Sequence, residues 1–228
     1  MLEPTKAALF GLCEDHLVPY GPDSALLHPD VIAPLEQLTQ EARYAGFDLR
    51  LASGYRSFAR QKNLWNAKAL GRKPVLDEQG RPLDTLALQE RERVYAILRW
   101  SALPGGSRHH WGTDMDVFDA AALEPGQNLA LTREETQGDG PMAPLHRWLD
   151  GWLSSGDNPG FYRPYDRDRG GVAPEPWHLS YRPSAAGFAA RMSLPGLTQL
   201  LVDQYDLALG AVVLDELPSI YQRFVQLP

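Results

Sequence analysis

His109 and Asp116 stand seven residues apart with Gly112 between them, and His178 follows Glu175 by three. Imidazole nitrogen and carboxylate oxygen are donors that a catalytic zinc takes, three from the protein with a fourth position left for water. Gly112 lets the chain turn tightly enough for His109 and Asp116 to converge. A metal held this way lowers the pKa of its water towards ~7 and so makes a nucleophile at neutral pH. A carboxylate that is not a ligand then serves as general base, and Glu175 beside His178 is the candidate. Spacing alone also fits a hydrogen-bonded structural cluster, and at this level both readings stand. In an ideal strand Glu175 and His178 face opposite sides. Pro176 breaks that regularity, so the expectation is a loop that enters a strand at His178.

The flanking sequence supplies elements to hold these residues. Residues 30–46 place Ile32, Leu35, Leu38 and Ala42 at helical spacing, with Gly46 as a stop. Residues 47–52 alternate apolar and polar as a half-buried strand does, and Ser57 is placed to cap a helix over 58–70. A Gly-, Pro- and charge-rich stretch over 71–84 reads as an exposed loop. A helix is expected over 86–100, with Val94, Ile97 and Leu98 on its inner face, and Pro104-Gly105-Gly106 ends it. Residues 107–119 read as a loop entering a strand centred on 115–118. Residues 144–153 form a short helix whose Trp148 and Trp152, at i and i+4, make a packing face. Residues 156–174 read as loop, 177–181 as a short strand, and the chain from Pro183 as mostly helical. This order suggests an α+β domain.

Composition narrows the partners. The chain has 228 residues, 22 Lys+Arg and 29 Asp+Glu, a formal charge of −7 that argues against nucleic acid or anionic lipid as the main partner. With Cys13 as the one cysteine, an internal disulfide and multi-cysteine zinc or iron–sulfur sites are excluded. No apolar run approaches the ~18 residues of a membrane span. The stretch Ala7–Cys13 lacks a basic leader and a small-residue cleavage site, so the expected location is the cytoplasm. His110 should face away from His109 in a structural role, and His16, His28 and His146 are expected at the surface or at helix ends.

Ser107-x-His109-x-x-Gly112-x-x-x-Asp116, together with Glu175-x-x-His178, resembles the LAS-type zinc peptidases, among them the VanY-like D,D- and L,D-carboxypeptidases. Upstream, Ser53-Gly54-Tyr55-Arg56-Ser57 with Gln61 resembles that family's substrate-binding element. The motifs keep the family's order and span residues 47–181. The resemblance implies a hedgehog/D,D-peptidase-like fold, a small antiparallel sheet with helices packed on it. It implies one Zn2+ held by His109, Asp116 and His178, with Glu175 as base and Arg56 steadying the oxyanion. Ser107 and Gln61 match positions that contact the substrate peptide or its terminal carboxylate, and Tyr55 and Trp177 would wall the pocket. Asp114 departs from the small apolar residue of many relatives; on a strand it points the same way as Asp116 and is placed behind the ligands.

The expected organisation is a catalytic domain over 1–182, with a helical lead-in over 1–29, and a helical extension over 183–228 packed on the same domain. The expected reaction releases a C-terminal D-amino acid, D-Ala, from peptidoglycan stem peptides or muropeptides. The L,D-bond of tetrapeptides returned by wall turnover is favoured over D-Ala–D-Ala of pentapeptides. A different class, a non-catalytic zinc-stabilised module that binds wall peptides, is the alternative.

Overall fold

The computed structural model describes residues 4–77, 80–124 and 126–226. The chain begins with a single helical turn, Lys6–Leu9 (α1), and a hairpin of Val18–Tyr20 (β1) and Ala25–Leu27 (β2). The lead-in is therefore mostly not helical, because Pro19 and the left-handed Ser24 favour an edge strand and a turn. Helix Pro29–Tyr44 (α2) follows, capped by the His28 imidazole, which accepts from the Asp30 N–H.

Next come strand Leu49–Ser53 (β3) and helix Phe58–Ala69 (α3), whose cap is Ser57 as expected. Helix Glu90–Leu98 (α4) starts later than its apolar spacing predicts. A capping box between Gln89 and Glu92 fixes that start, and Thr85–Ala87 forms a separate 3-10 turn. Strand Asp114–Asp119 (β4), helices Arg133–Thr136 (α5) and Ala143–Leu153 (α6), and strands Phe161–Tyr162 (β5) and His178–Tyr181 (β6) complete the central part. The C-terminal part holds helices Arg182–Arg191 (α7), Leu194–Leu201 (α8), Gly210–Asp215 (α9) and Leu217–Ile220 (α10).

The main sheet is antiparallel in the order β3-β4-β6-β5, so β4 and β6 lie side by side at its centre. Alternation along the strands divides its two faces. Leu49, Met115, Val117 and Leu179 point to one side and pack against Leu35, Leu38 and Ala42 of α2 and Leu145 and Leu149 of α6. Each leucine, methionine or valine among them stabilises the fold by about 1.5–3 kcal/mol on burial. Asp114, Asp116, His178 and Ser180 point to the other side, where all four are buried.

A second core joins α3 and α4 to the C-terminal helices. Trp65, Val94, Ile97 and Leu98 pack with Leu197, Leu201, Val213, Leu217 and Ile220. Trp148 stacks on Trp152, which continues to Phe161, so the tryptophan pair is a packing face. His146, expected at the surface or at a helix end, lies in the first turn of α6 but is 4% exposed on its inner side, with neither ring nitrogen hydrogen-bonded. Among the described residues, no helix is long and apolar enough to cross a membrane.

Candidate metal centre and catalytic cleft

Register brings the expected ligands together. Asp116 pairs across the sheet with His178 on one side and Ser53 on the other. His109 arrives from a buried 3-10 turn, Arg108–Trp111, that ends at Gly112 in the left-handed conformation (φ 68°). A Cβ at Gly112 would lie 2.4 Å from the Leu17 side chain, so the turn requires glycine. Pro176 has the expected effect. The His178 N–H donates to the Glu175 carbonyl at 3.1 Å in a tight turn, which keeps the Glu175 side chain on the ligand side.

One donor atom each from His109, Asp116 and His178 lies within 4.8 Å of the others. The outward nitrogen of each imidazole is already engaged. His109 Nδ1–H donates to the Gly54 carbonyl at 2.8 Å, and His178 Nε2–H donates to Asp114 Oδ1 at 3.0 Å. These bonds select tautomers that leave His109 Nε2 and His178 Nδ1 as inward lone pairs. His109 Nε2 is 3.4 Å from Asp116 Oδ2, and His178 Nδ1 is 3.4 Å from both Asp116 Oδ1 and Glu175 Oε2. His178 Nδ1 and Asp116 Oδ1 are buried without a hydrogen-bond partner. Two imidazoles and a carboxylate with orphaned atoms facing one point fit a zinc ion.

Electrostatics favour positive charge there. Burial alone would lower the His178 pKa, but the hydrogen bond to Asp114 and the facing carboxylates of Asp116 and Glu175 outweigh burial and raise the pKa well above the usual histidine range. Asp116 is held well below the carboxylate range, because His109 and His178 more than offset its burial.

Asp114 lies behind the ligands, fully buried. It accepts from Arg108 Nε at 2.7 Å, Thr113 Oγ1 at 2.8 Å and Ser180 Oγ at 3.1 Å besides His178. Burial raises its pKa, but Arg108 and His178 together bring it down to about 2. Arg108 is a functional neighbour that the sequence did not reveal, and Ser53, expected only as part of the substrate-binding element, supports a ligand instead. Arg108 neutralises Asp114 and also donates to Ser180 and Tyr162. Ser53 Oγ donates to Asp116 Oδ2 at 2.6 Å. Only the strand register reveals the serine, and a buried arginine beside His109 carries no signal in the sequence that separates it from a surface one.

The ligands open into a cavity of about 530 Å³, also lined by Arg56, Lys68, Trp100, Ser101, Ser107, Tyr165, Glu175 and Trp177. Arg56 is held through its backbone, donating to the His109 carbonyl and accepting from His110 Nδ1 at 2.6 Å. His110 thus faces away from the ligands, and burial lowers its pKa to about 3. The Arg56 guanidinium donates to Gln61 Oε1 at 2.9 Å.

Two residues expected to meet the substrate are turned elsewhere. Gln61 has no exposed surface, and its amide is spent between Arg56 and the Ala102 carbonyl, so it positions Arg56. The Tyr55 hydroxyl donates to the Gly11 and Cys13 carbonyls and does not wall the cavity. The stretch over 71–84 is exposed at most of its described residues, as expected of a loop, but Val75 is 1% exposed, and with the Leu76–Pro82 bridge Pro74, Leu76 and Pro82 also line the cavity.

A family model described as VanY D-alanyl-D-alanine carboxypeptidase matches residues 24–184. An uncharacterized protein of Haemophilus influenzae is 36% identical over 102 residues, 43% of this chain and 70% of that protein. A second from the same strain is 38% identical over 85 residues, 36% of this chain and 63% of that protein. Among solved structures, VanYB in complex with D-Alanine-D-Alanine superposes with a TM-score of 0.53 at 20% identity, covering 82% of this chain and 88% of that one. A vancomycin-resistance D,D-pentapeptidase VanY in complex with Zn(II) gives 0.51 at 22% identity, covering 88% and 90%. These two share the fold, and the family model spans the motif that carries His109, Asp116, Glu175 and His178. The chain belongs to the VanY D-alanyl-D-alanine carboxypeptidase family.

Proposed function

We propose that this protein is a zinc carboxypeptidase that releases the C-terminal D-alanine of peptidoglycan stem peptides. The observation that carries the reading is the convergence of His109, Asp116 and His178, with Glu175 beside them and not needed as a ligand. Zinc bound there supplies a Lewis acid and a water of lowered pKa. Glu175 takes the proton of the attacking water and passes it to the amine of the departing residue. Arg56, fixed by Gln61, presents its guanidinium to the carbonyl oxygen on which charge develops. Burial lowers the pKa of Arg56. Tyr165 and Trp177 narrow the cleft and limit water around the reacting bond.

The preferred bond in this proposal is the L,D-bond of tetrapeptides, in the cytoplasm, during recycling of wall fragments. A D,D-enzyme in that compartment would consume the cell's own pentapeptide precursors, and an L,D-enzyme does not. The second reading, cleavage of D-Ala–D-Ala, is favoured by the activity that describes the family model. Incubation with tetrapeptide and pentapeptide muropeptides separates the two, and release of D-Ala from pentapeptide alone overturns the L,D preference. Purified Glu175→Ala is expected to keep stoichiometric zinc and lose turnover by about 10³-fold. Full activity of that variant overturns the assignment of the base.

A further inference from the structure

The catalytic cavity holds more positive charge than the reaction just described uses. Arg108 is neutralised by Asp114, whereas Arg56 and Lys68 have no carboxylate within ion-pair distance among the described residues. Arg56 is assigned to the scissile carbonyl. Lys68 projects from α3 into the same cavity, with its Nζ donating to Ser101 Oγ at 3.1 Å. Burial lowers its pKa to about 8, opposed by Glu175 and reinforced by Arg56 and Lys73. At neutral pH the group is still mostly an ammonium, one that has given up much of its water.

We propose that Lys68, steadied by Ser101, binds the free C-terminal carboxylate of the substrate and so restricts the cleft to peptides that end there. The proposal rests on the carboxypeptidase reading and deepens it. The terminal carboxylate of such a substrate lies one residue beyond the scissile carbonyl, and a fixed cation beside the one that faces that carbonyl is suited to hold it. Lys68 sits in the cavity with Arg56 and Glu175 and supplies such a cation. Pro74, Leu76, Pro82 and Trp100 wall the cavity with apolar surface, suited to a small side chain on the departing residue. A chain that continued past this residue, or ended in an amide, would leave the ammonium buried opposite a neutral group.

The test compares zinc-loaded wild type, Lys68→Met and Lys68→Arg on one stem peptide made as the free acid and as the C-terminal amide. The peptide is whichever of the tetrapeptide and pentapeptide the wild type turns over. Wild type is expected to prefer the acid by about 100-fold in kcat/KM. Lys68→Met should lose about 100-fold on the acid, chiefly in KM, with no fall on the amide, so that the preference collapses. Lys68→Arg should restore part of it. An unchanged acid-over-amide ratio in Lys68→Met overturns the proposal, and so does an equal fall in kcat on both peptides, which is the mark of a lysine that only tunes Glu175.

Calorimetric binding of the tetrapeptide acid and amide to zinc-loaded Glu175→Ala, with and without Lys68→Met, repeats the comparison without turnover. Acid-selective binding that depends on Lys68, in a protein whose wild type hydrolyses neither peptide, would end the hydrolase reading and leave the carboxylate site standing. Equal binding of acid and amide to Glu175→Ala overturns the site itself.

Discussion

Two cavities of similar size are lined by histidine, and only one has the geometry for chemistry. The catalytic cavity is about 530 Å³, and a second of about 490 Å³ lies among His16, His28, Asp30, Ser184 and Phe188. In the first, His178 and Asp116 are register partners on adjacent strands, and each imidazole is turned by an acceptor behind it, Gly54 or Asp114. In the second, His28 is engaged with the Asp30 N–H as a helix cap, and Asp30 accepts from Ser184. Both ring nitrogens of His16 are buried without a partner. The His16 and His28 rings lie 6.4 Å apart, tilted, with no strand to aim them. Histidines become a site when a sheet fixes their positions and outer hydrogen bonds fix their tautomers.

The largest test of that contrast is to remove one member from each cavity. Asp116→Ala or His178→Ala should abolish zinc binding and reduce D-Ala release by more than about 10³-fold, read by metal analysis and product assay. His16→Phe should leave zinc content and turnover within about twofold of wild type, because no ligand or wall of the catalytic cavity changes. Zinc loss in His16→Phe would break the comparison.

A smaller effect sharpens the part played by the acceptors behind the ligands. Asp114→Asn keeps the shape but removes the charge that faces Arg108 and His178. Zinc affinity should fall about 10–100-fold in a competition titration. Leaving Arg108 buried opposite a neutral amide should also cost about 3–5 kcal/mol in urea unfolding. The pH dependence follows in sign. The Asp114 pKa is depressed on folding, so its stabilisation is complete above the ordinary carboxylate range and is lost as pH falls towards about 2.

Much of this centre was legible in the sequence because it depends on short-range periodicity. Alternation put Asp114 and Asp116 on one face of a strand, Gly112 marked the turn, and Pro176 marked the break before His178. What was not legible depends on register or on the direction of a side chain. Ser53 reaches Asp116 through a pairing that includes an irregularity between Leu51 and Ser53. Tyr55 and Gln61 belong to the right segment, yet a motif gives no side-chain direction, and both are drawn off by backbone carbonyls at Gly11, Cys13 and Ala102. The loop over 71–84 has the composition of a solvated segment and is mostly exposed, yet Pro74, Leu76 and Pro82 also line the cleft. The hairpin of β1 and β2 is too short for alternation to declare itself.

His146 provides the smallest test, a histidine in neither cavity and with no acceptor behind it. Burial, with a further push from Arg163, lowers its pKa to about 3. The unfolded chain takes up a proton near the ordinary value of 6.5 and the folded protein does not, so protonation favours unfolding between those limits. Stability is therefore unaffected by this group above about 6.5, declines as pH falls through that range by up to about 1.4 kcal/mol per pH unit, and levels off below about 3. His146→Leu removes the titration and keeps the apolar contacts of α6. Relative to wild type it should gain about 1–2 kcal/mol at pH 5 over whatever difference exists at pH 7, in paired urea unfolding curves. Its zinc content and turnover should not change. Parallel curves for the two proteins at both pH values would show that His146 keeps a partner when folded, and the distinction drawn between aimed and unaimed histidines would then have to be withdrawn for α6.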